Sequence, residues 1–278
     1  MPLTGHRFSR SFRQSRRALA IPATFLILFV TMLGIVSVTY YFSIEKVSAQ
    51  SQTLKIATAK QDMTSLDEAI LSVLWSPGSA RRFDFGDSGG TLNIQPSSNL
   101  IAINITDNQD VSSTIFNGTV GQVAYELPYS RSLDTGFFLK GEGRTIINQS
   151  GSGITQLSII SGDDHPAIVL RYRPSASCTT IGTEGNKPVN NLRIYVVNMN
   201  SSETFGLMGK MSLKISSLTT QITTTAYNLS YASETLLVTS TIENESGQIS
   251  IPLESTVDGT IIQVEVVQCM VKIERSVR

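Results

Sequence analysis

Residues 19–42 read LAIPATFLILFVTMLGIVSVTYYF and carry no formal charge. At 1.5 Å rise per residue, a helix of this length extends about 36 Å, which exceeds the ~30 Å hydrocarbon thickness of a bilayer. Its centre is rich in Phe, Leu, Ile and Val, each of which favours insertion into lipid. The stretch therefore predicts a transmembrane helix with membrane lipid as its partner. Its hydroxyl side chains can bond to carbonyls of their own helix at Thr24, Thr31, Ser37 and Thr39.

The charges on either side of this stretch predict its orientation. Residues 1–18 contain five arginines and no acidic residue, whereas Glu45 and Lys46 cancel after the stretch. Because cytoplasmic flanks carry the excess of Lys and Arg, we predict a cytoplasmic N-terminus and an extracellular C-terminal domain in the cell membrane. Tyr40 and Tyr41 lie where an aromatic belt would meet the outer headgroups. The arginines that set this topology are Arg7, Arg10, Arg13, Arg16 and Arg17.

The composition argues against several functional classes. The 278 residues include 22 basic and 22 acidic ones, so the part beyond the span lacks the basic stripe of a nucleic-acid-binding protein. His6 and His165 are the two histidines, and no phosphate-binding, zinc-hydrolase or nucleophile-elbow motif occurs. We interpret Asp163-Asp164-His165 and Asp107-Asn108-Gln109-Asp110 as solvated turns rather than catalytic or calcium sites. We expect no enzymatic activity, no cofactor, no metal and no nucleic-acid partner.

Two features typical of exported domains occur beyond the predicted span. Cys178 and Cys269 both fall there, and we predict a disulfide bond between them because exported proteins reach oxidising compartments. Two unrelated buried thiols are the alternative. Asn-x-Ser/Thr sequons are candidate glycosylation sites, and Asn117-Gly118 additionally resembles a hairpin turn. The six sequons are at Asn104, Asn117, Asn148, Asn200, Asn228 and Asn244.

Residues 43–76 are predicted to continue the helix outside the membrane as a stalk. Apolar residues recur three and four positions apart from residue 56 onward, which predicts an amphipathic helix, and Ser76-Pro77-Gly78 predicts its end. The pattern is weaker over residues 43–54, which favours a flexible or kinked segment there. The stripe fits packing on a β domain, a coiled-coil stalk or simple core packing, and its spacing does not distinguish them. It consists of Ile56, Ala59, Met63, Leu66, Ile70 and Val73.

Residues 77–278 predict a β-rich domain of short β-branched runs separated by turn residues. Strict alternation over residues 101–105 and 262–266 predicts strands with one buried face. The chain is thus predicted to have an α+β fold, a long N-terminal helix followed by a mainly antiparallel β-sandwich, either as one β unit or as two divided near residues 174–188. The predicted strands are 92–94, 100–105, 120–127, 137–139, 154–160, 167–172, 192–197, 211–215, 222–227, 236–242 and 261–273, and the predicted turns are Gly89-Gly90, Asn117-Gly118, Gly141-Glu142-Gly143 and Asp258-Gly259.

The junction Arg16-Arg17-Ala18-Leu19-Ala20, a charged pair followed by a small residue and a long apolar helix, resembles the class III signal peptide of archaeal type IV pilin-like proteins. The resemblance implies cleavage between Ala18 and Leu19, so that residues 1–18 are a leader. It also implies a structural or accessory subunit of a surface filament or envelope that assembles with itself or with other pilin-like subunits. The departures are Pro22 near the start of the helix, Ala23 where the family has Glu, and an exterior part larger than in a typical major pilin.

Other interpretations of the N-terminal region stay open. An uncut signal anchor fits the same stretch, Ser15-Arg16-Arg17 partly resembles a twin-arginine signal, and Val47-Ser48-Ala49 resembles a secretory cleavage site. Cleavage after Ala49 would release a soluble protein. The alternative function is an anchored β-sandwich adhesin or receptor that binds a glycan or a protein partner.

Overall fold

The structure, a computed structural model, describes residues 15–109, 112–128, 134–148, 153–162 and 165–276, with side chains from residue 22 onward. Within these ranges one helix, α1 (Ser15–Leu74), precedes fourteen strands. The strands are β1 (Ala80–Phe85), β2 (Thr91–Thr106), β3 (Ser112–Glu126), β4 (Phe137–Lys140), β5 (Ile147–Asn148), β6 (Thr155–Ser161), β7 (Pro166–Tyr172), β8 (Ser175–Glu184), β9 (Lys187–Asn198), β10 (Phe205–Met208), β11 (Met211–Leu229), β12 (Thr235–Ile242), β13 (Glu245–Pro252) and β14 (Thr260–Arg275).

The chain divides into two compact units, Met1–Thr53 and Leu54–Arg278. The second unit contains all the described strands and residues 54–74 of α1. The segment near residues 174–188 lies inside this unit, where β8 and β9 form an antiparallel hairpin that closes at Glu184 and Lys187. The predicted α+β class, a long N-terminal helix followed by a mostly antiparallel β domain, is confirmed.

The described strands form two sheets. The smaller sheet has the order β1-β11-β14-β9-β8-β5, and the larger has the order β13-β12-β2-β3-β7-β6-β4, with β10 also pairing with β2. Two neighbouring pairs, β9 with β14 and β5 with β8, are parallel, and the other pairs are antiparallel. This sandwich-like arrangement buries alternate residues of strands in both sheets, as the alternating apolar runs predict.

The apolar stripe of α1 lies in the main core of the second unit. Met63, Leu66 and Ile70 have no exposed surface, and they pack with side chains from both sheets. The stripe is therefore packed in the core of the β domain and does not form a coiled-coil stalk. The helix ends at Leu74, as predicted, and the chain turns at Gly78, whose φ of 84° is readily adopted only by glycine.

A second core lies between the two sheets, and four strands, β2, β3, β9 and β14, contribute buried residues to both cores. In β9, Leu192 and Ile194 belong to the second core and Val197 to the first. In β14, Val266 belongs to the second core and Val267 to the first. Because successive residues of a strand point to opposite faces, the smaller sheet covers one core with each face. In β9 and β14, which pair with each other, the buried residues change from the second core to the first at nearby positions.

Every predicted strand lies in a strand of the structure, to within one residue at its ends. The turn predicted at Asn117-Gly118 is wrong, because these residues lie within β3 and pair with Ala102 and Ile101 of β2. The two strands form one long hairpin whose turn begins at Asp107, in the acidic segment that was predicted to be a turn. β1, β5, β8, β10 and β13 were not predicted.

Candidate functional site

The first functional feature is the apolar part of α1 in the first unit. All residues from 22 to 53 are exposed, including Phe25 at 71% and Ile35 at 68%. Thr31 and Thr39 donate hydrogen bonds to carbonyls one turn earlier, at 2.9 Å and 2.8 Å, as predicted. Among the described residues, one helix is long and apolar enough to cross a membrane, and it is this one.

The second feature is a buried carboxylate, Asp67, on the part of α1 that packs in the β domain. Asp67 has no exposed surface, and its Oδ2 accepts a hydrogen bond from Lys140 Nζ at 2.6 Å. Its Oδ1 accepts hydrogen bonds from Thr155 Oγ1 and Tyr172 OH, both at 2.9 Å. The three donors come from β4, β6 and β7. One helical side chain therefore bonds to three strands of the larger sheet.

The environment of Asp67 makes these bonds stronger than surface ones. A buried charge is tolerated only when it is paired and hydrogen-bonded, and bonds to an ionised acceptor are about twice as strong as neutral ones. The pKa of Tyr172 is raised well above its ordinary value, mainly because the phenol is buried and secondarily because it lies beside the charge of Asp67. The phenol therefore stays protonated and remains a donor. We define Asp67, Lys140, Thr155 and Tyr172 as the Asp67 cluster.

The position of Asp67 in the sequence could have predicted that its carboxylate is buried and hydrogen-bonded. Asp67 lies four residues after Met63 and three before Ile70, so it falls within the apolar stripe of the helix. A carboxylate in a stripe that packs on protein requires partners. The strands that supply them are more than 70 residues away, and nothing in the local sequence identifies Lys140, Thr155 or Tyr172.

A second buried charge, Arg173, orders the loop around residues 141–145. Its side chain is 2% exposed, and its guanidinium donates hydrogen bonds to the carbonyls of Gly153 at 2.7 Å and Arg144 at 2.9 Å. It also forms an ion pair with Glu142 at 3.5 Å. The predicted turn at residues 141–143 is thus held in place by a side chain from beyond β7. This arrangement is structural.

A partly exposed charge cluster on the smaller sheet contains a carboxylate whose pKa is lowered. Glu274 Oε1 accepts a hydrogen bond from Lys214 Nζ at 2.8 Å, and Oε2 lies 2.6 Å from Lys272 Nζ. The hydrogen bonds from the two lysines lower the pKa of Glu274 to about 2, and the bond from Lys214 has the larger effect. The cluster joins β11 to β14 near the end of both strands.

The predicted disulfide bond is wrong, because Cys178 and Cys269 are both free. Cys178 pairs with Leu192 on one side of β9, and Cys269 pairs with Val197 on the other side. Two strand spacings separate their strands by about 10 Å, and five positions along β9 add about 16 Å. A disulfide requires Cα atoms about 4.4–6.8 Å apart. Burial raises the pKa of Cys178 to about 11 and also raises that of Cys269, so both are unreactive thiols.

The candidate glycosylation sites differ in accessibility. Asn117, Asn148, Asn228 and Asn244 are exposed, whereas Asn104 and Asn200 are half-buried. Asn104 Oδ1 accepts a hydrogen bond from Thr114 at 2.7 Å, and Asn228 Oδ1 accepts one from Lys187 at 2.6 Å.

The amide nitrogen of Asn200, the atom to which a glycan would attach, is already engaged. It donates to the Thr119 carbonyl at 2.7 Å and to the Thr119 hydroxyl at 3.1 Å. The Ser202 hydroxyl of the same sequon is also occupied, since it accepts a hydrogen bond from the Ile273 N–H at 2.9 Å. Asn200 is therefore the least accessible of the six acceptors.

The acidic segments behave as parts of turns where the structure describes them. Asp107 Oδ1 accepts a hydrogen bond from the Gln109 N–H at 2.8 Å, as in an Asx turn, and Tyr231 OH donates to Oδ2. This bond raises the pKa of Tyr231 to about 12. Asp110, Asp163 and Asp164 lie outside the described residues. Within the described part of the chain, no group of three or more His, Cys, Asp and Glu is arranged to hold a metal ion.

A shallow groove of about 330 Å³ lies on the outer face of β3 and β7. Ala124, Ala167 and Val169 form its apolar floor. Gln122 Nε2 donates to Gln95 Oε1 at 2.7 Å beside this floor, in a chain of amide side chains along the rim. Glu126 and His165 also line the groove, so amide, carboxylate and imidazole groups surround small apolar side chains.

Trp75 and the residues of the predicted cleavage junction lie in or directly after α1. Trp75 follows the end of α1 and packs edge-on against Tyr195, with ring centroids 5.4 Å apart. Arg16, Arg17, Ala18 and Leu19 lie in the helical backbone of α1, and Arg7, Arg10 and Arg13 lie outside the described residues.

No protein-family model matches this chain, and neither does any curated protein or solved structure with which it was compared.

Proposed function

We propose that this chain is a single-pass cell-surface protein of the pilin-like class, a structural or accessory component of a surface filament or envelope. In this proposal α1 spans the cell membrane with its N-terminus in the cytoplasm, and the β domain lies outside the cell. The observation that carries the proposal is the change in environment along α1, which is fully exposed up to residue 53 and buried on one face from Ile56.

The exposed part of α1 requires an apolar environment. It presents large apolar side chains all round, and no formal charge occurs from residue 18 to residue 44. About ten central Phe, Leu, Ile and Val residues favour lipid by roughly 3–6 kcal/mol in total. Contiguous apolar patches above a few hundred Å² are rare on soluble proteins and mark membrane or protein contacts. Lipid, or a bundle of such helices in a filament, would supply that environment.

The buried part of α1 ties the anchor to the β domain. Its apolar stripe fills the main core, and the Asp67 cluster adds hydrogen bonds to three strands. A pull on residues 56–74 of α1 would therefore load the core of the domain. This coupling suits a subunit that must transmit force, and it supports the structural hypothesis over that of a freely tethered receptor.

Membrane extraction tests the anchor. We expect the full chain to stay in the membrane pellet after alkaline carbonate washing and to be released by detergent. Leu28→Lys together with Leu33→Lys adds roughly 5–7 kcal/mol of insertion cost, so we expect this double variant to lose membrane association. Gln50→Lys with Gln52→Lys adds the same charge outside the span and should not. Wild-type protein in the aqueous fraction without detergent would refute the anchor.

The mass of the N-terminus in the native cell tests the pilin-like class. We expect a mature chain that begins at Leu19 and is present in a surface filament or envelope fraction. An Arg16→Ala, Arg17→Ala variant should retain residues 1–18 if the charged pair directs cleavage. A chain that keeps these residues in wild-type cells refutes processing, and a chain that begins at Gln50 refutes anchoring. Monomers that never enter a filament or envelope fraction refute the structural role.

The groove on β3 and β7 favours a second function, that of an anchored adhesin. Its amide rim beside a small apolar floor is a combination that can bind hydroxyl-rich ligands such as glycans, because amides donate and accept hydrogen bonds. Gln122→Ala should abolish binding to a glycan array if this function is correct, and Gln221→Ala, in an exposed position on β11, should not. Absence of glycan binding by the wild-type chain would refute it.

A further inference from the structure

β11 is the longest strand, and another strand covers only the first part of its outer edge. β14 pairs along the inner edge as far as Leu229. β1 pairs with the outer edge from Met211 to Ser216, and the Ser217 N–H still donates to the Ser79 carbonyl at 2.9 Å. Beyond Ser217, none of the described strands pairs with this edge. We call residues 218–227 the open edge of β11.

The open edge runs to Tyr227, just before the two residues of β11 that Lys187 of β9 contacts from the side of β14. Lys187 Nζ donates to Asn228 Oδ1 at 2.6 Å and to the Leu229 carbonyl at 3.0 Å. Between these limits the strand is exposed on both faces, with Leu218 at 40% and Ile222 at 62% exposure. A strand that approached this edge would find backbone N–H and C=O groups without strand partners.

From Thr220 onward the open edge lacks the features that usually protect sheet edges. At its start, a register shift against β14 lies between Ser217 and Thr220. The whole open edge, LTTQITTTAY, contains no charge, no proline and no glycine. Two other edge strands carry charges or a proline, which natural sheets use to protect their edges. These are Arg81, Arg82 and Asp84 in β1, and Glu245 and Pro252 in β13.

The sequence of the open edge is complementary to itself. In an antiparallel pair related by a two-fold axis normal to the sheet, one residue faces its own copy, because opposed residues must share a face. With Ile222 on the axis, Thr219 faces Thr225 and Thr220 faces Thr224, and opposed threonines are favourable cross-strand pairs. No charges oppose each other in this register.

The limits of the open edge allow two registers of nine residues within residues 218–227. Centring on Ile222 overlaps residues 218–226 of both copies, and centring on Thr223 overlaps residues 219–227. In both registers the second copy avoids Ser217, whose backbone already bonds to Ser79 and Gly78. The register centred on Ile222 pairs four threonines of each copy with threonines of the other, more than the register centred on Thr223 does.

We propose that the open edge of β11 pairs with the open edge of a second copy of this chain, antiparallel and centred on Ile222, to join two smaller sheets into one. The proposal goes beyond the function proposed above, because it concerns the β domain and is independent of contacts between membrane helices.

Cysteine cross-linking of the full chain in detergent tests the register. In a Cys178→Ser, Cys269→Ala background, Ile222→Cys should form a disulfide-linked dimer under mild oxidation. Ile181→Cys, an exposed position on the β8 edge, should not. Thr220→Cys and Thr224→Cys should each stay uncross-linked alone and should cross-link when the two variants are mixed. Equal cross-linking at Ile181 and Ile222, or none at Ile222, would overturn the proposal.

A pair of charge variants tests whether this pairing causes dimerisation. Thr220→Lys with Thr224→Lys places like charges opposite each other, and Thr220→Lys with Thr224→Glu places opposite charges there. By sedimentation in detergent, we expect the first to dimerise at least tenfold more weakly than the wild type and the second to dimerise normally. Equal thermal unfolding of both variants shows that the fold is intact. A monomeric wild type, or a like-charge variant that dimerises normally, refutes the proposal without affecting membrane extraction or the mass of the N-terminus.

Discussion

Replacing Asp67 by alanine tests how the helix is held in the β domain. The substitution removes the acceptor of three hydrogen bonds, one from each of Lys140, Thr155 and Tyr172. All three donors would have to find new partners or remain unpaired. We expect a loss of stability much larger than that of an ordinary surface substitution.

The magnitude follows from the burial of each donor. The Thr155 and Tyr172 side chains are 0% and 3% exposed, and a buried hydroxyl left without an acceptor costs about 1–3 kcal/mol. Lys140 is 33% exposed and can turn toward water, so its ion pair contributes only about 1 kcal/mol. The sum is about 4 kcal/mol, a large part of the roughly 5–15 kcal/mol that stabilises a typical domain.

Urea unfolding of the detergent-solubilised chain measures this loss. Trp75 is the sole tryptophan, and it packs on Tyr195 just after α1, so its fluorescence reports the separation of helix and sheet. At a slope of about 2 kcal/mol per molar, the midpoint should fall by roughly 2 M. Glu68→Ala, the next and exposed residue, is the matched control and should change stability by less than about 0.5 kcal/mol.

Two outcomes would refute this account of the Asp67 cluster. One is an Asp67→Ala variant as stable as Glu68→Ala. The other concerns Tyr172→Phe, which should destabilise the wild type but have little effect in the Asp67→Ala background, because its acceptor is already absent. Full additivity of the two substitutions would show that Asp67 and Tyr172 do not interact.

Three further predictions follow from the perturbed groups. Because burial raises their pKa values, Cys178 and Cys269 should react with iodoacetamide slowly in the folded protein at neutral pH and completely after unfolding; an intact mass lower by two hydrogens would contradict their being free. Glycopeptide mass spectrometry should find Asn200 unoccupied while the exposed Asn244 can be occupied, and a glycan on Asn200 would contradict its hydrogen bonding. Glu274 should stabilise the fold above its usual pKa of 4.5 and lose that effect as the pH falls toward about 2. In Glu274→Gln, the free energy of unfolding should therefore depend less on pH in this range. An unchanged dependence on pH would contradict this.

The helix and most strands could be predicted because their signals are local. The uncharged stretch of residues 19–42, the stripe from Ile56 and the alternating runs each depend on side chains near one another in the chain. β1 was missed because its sequence, ARRFDF, carries three charges on an exposed edge. The edge strand β13 was missed for a similar reason, since it begins with Glu245 and ends with Pro252.

Local sequence patterns could not predict the features that depend on the order of strands in the sheets. The disulfide prediction required Cys178 and Cys269 to be neighbours, and β9 lies between their strands. Asn117-Gly118 has the composition of a turn, but the longer pairing of β2 with β3 overrides it. The partners of Asp67 likewise depend on which strands pack against the helix.

The two parts of α1 show what periodicity can distinguish. From residue 22 to residue 44 apolar side chains point in all directions, and such a helix has no face that one neighbour could cover. From Ile56 the apolar residues form one stripe, which a single β domain covers completely. Residues 45–53 have neither pattern and are all exposed, although they are helical. In the proposed membrane anchor, the part of α1 in the hydrocarbon layer should therefore end near Glu45 and Lys46, where the first charges occur, because a charged side chain there would oppose insertion.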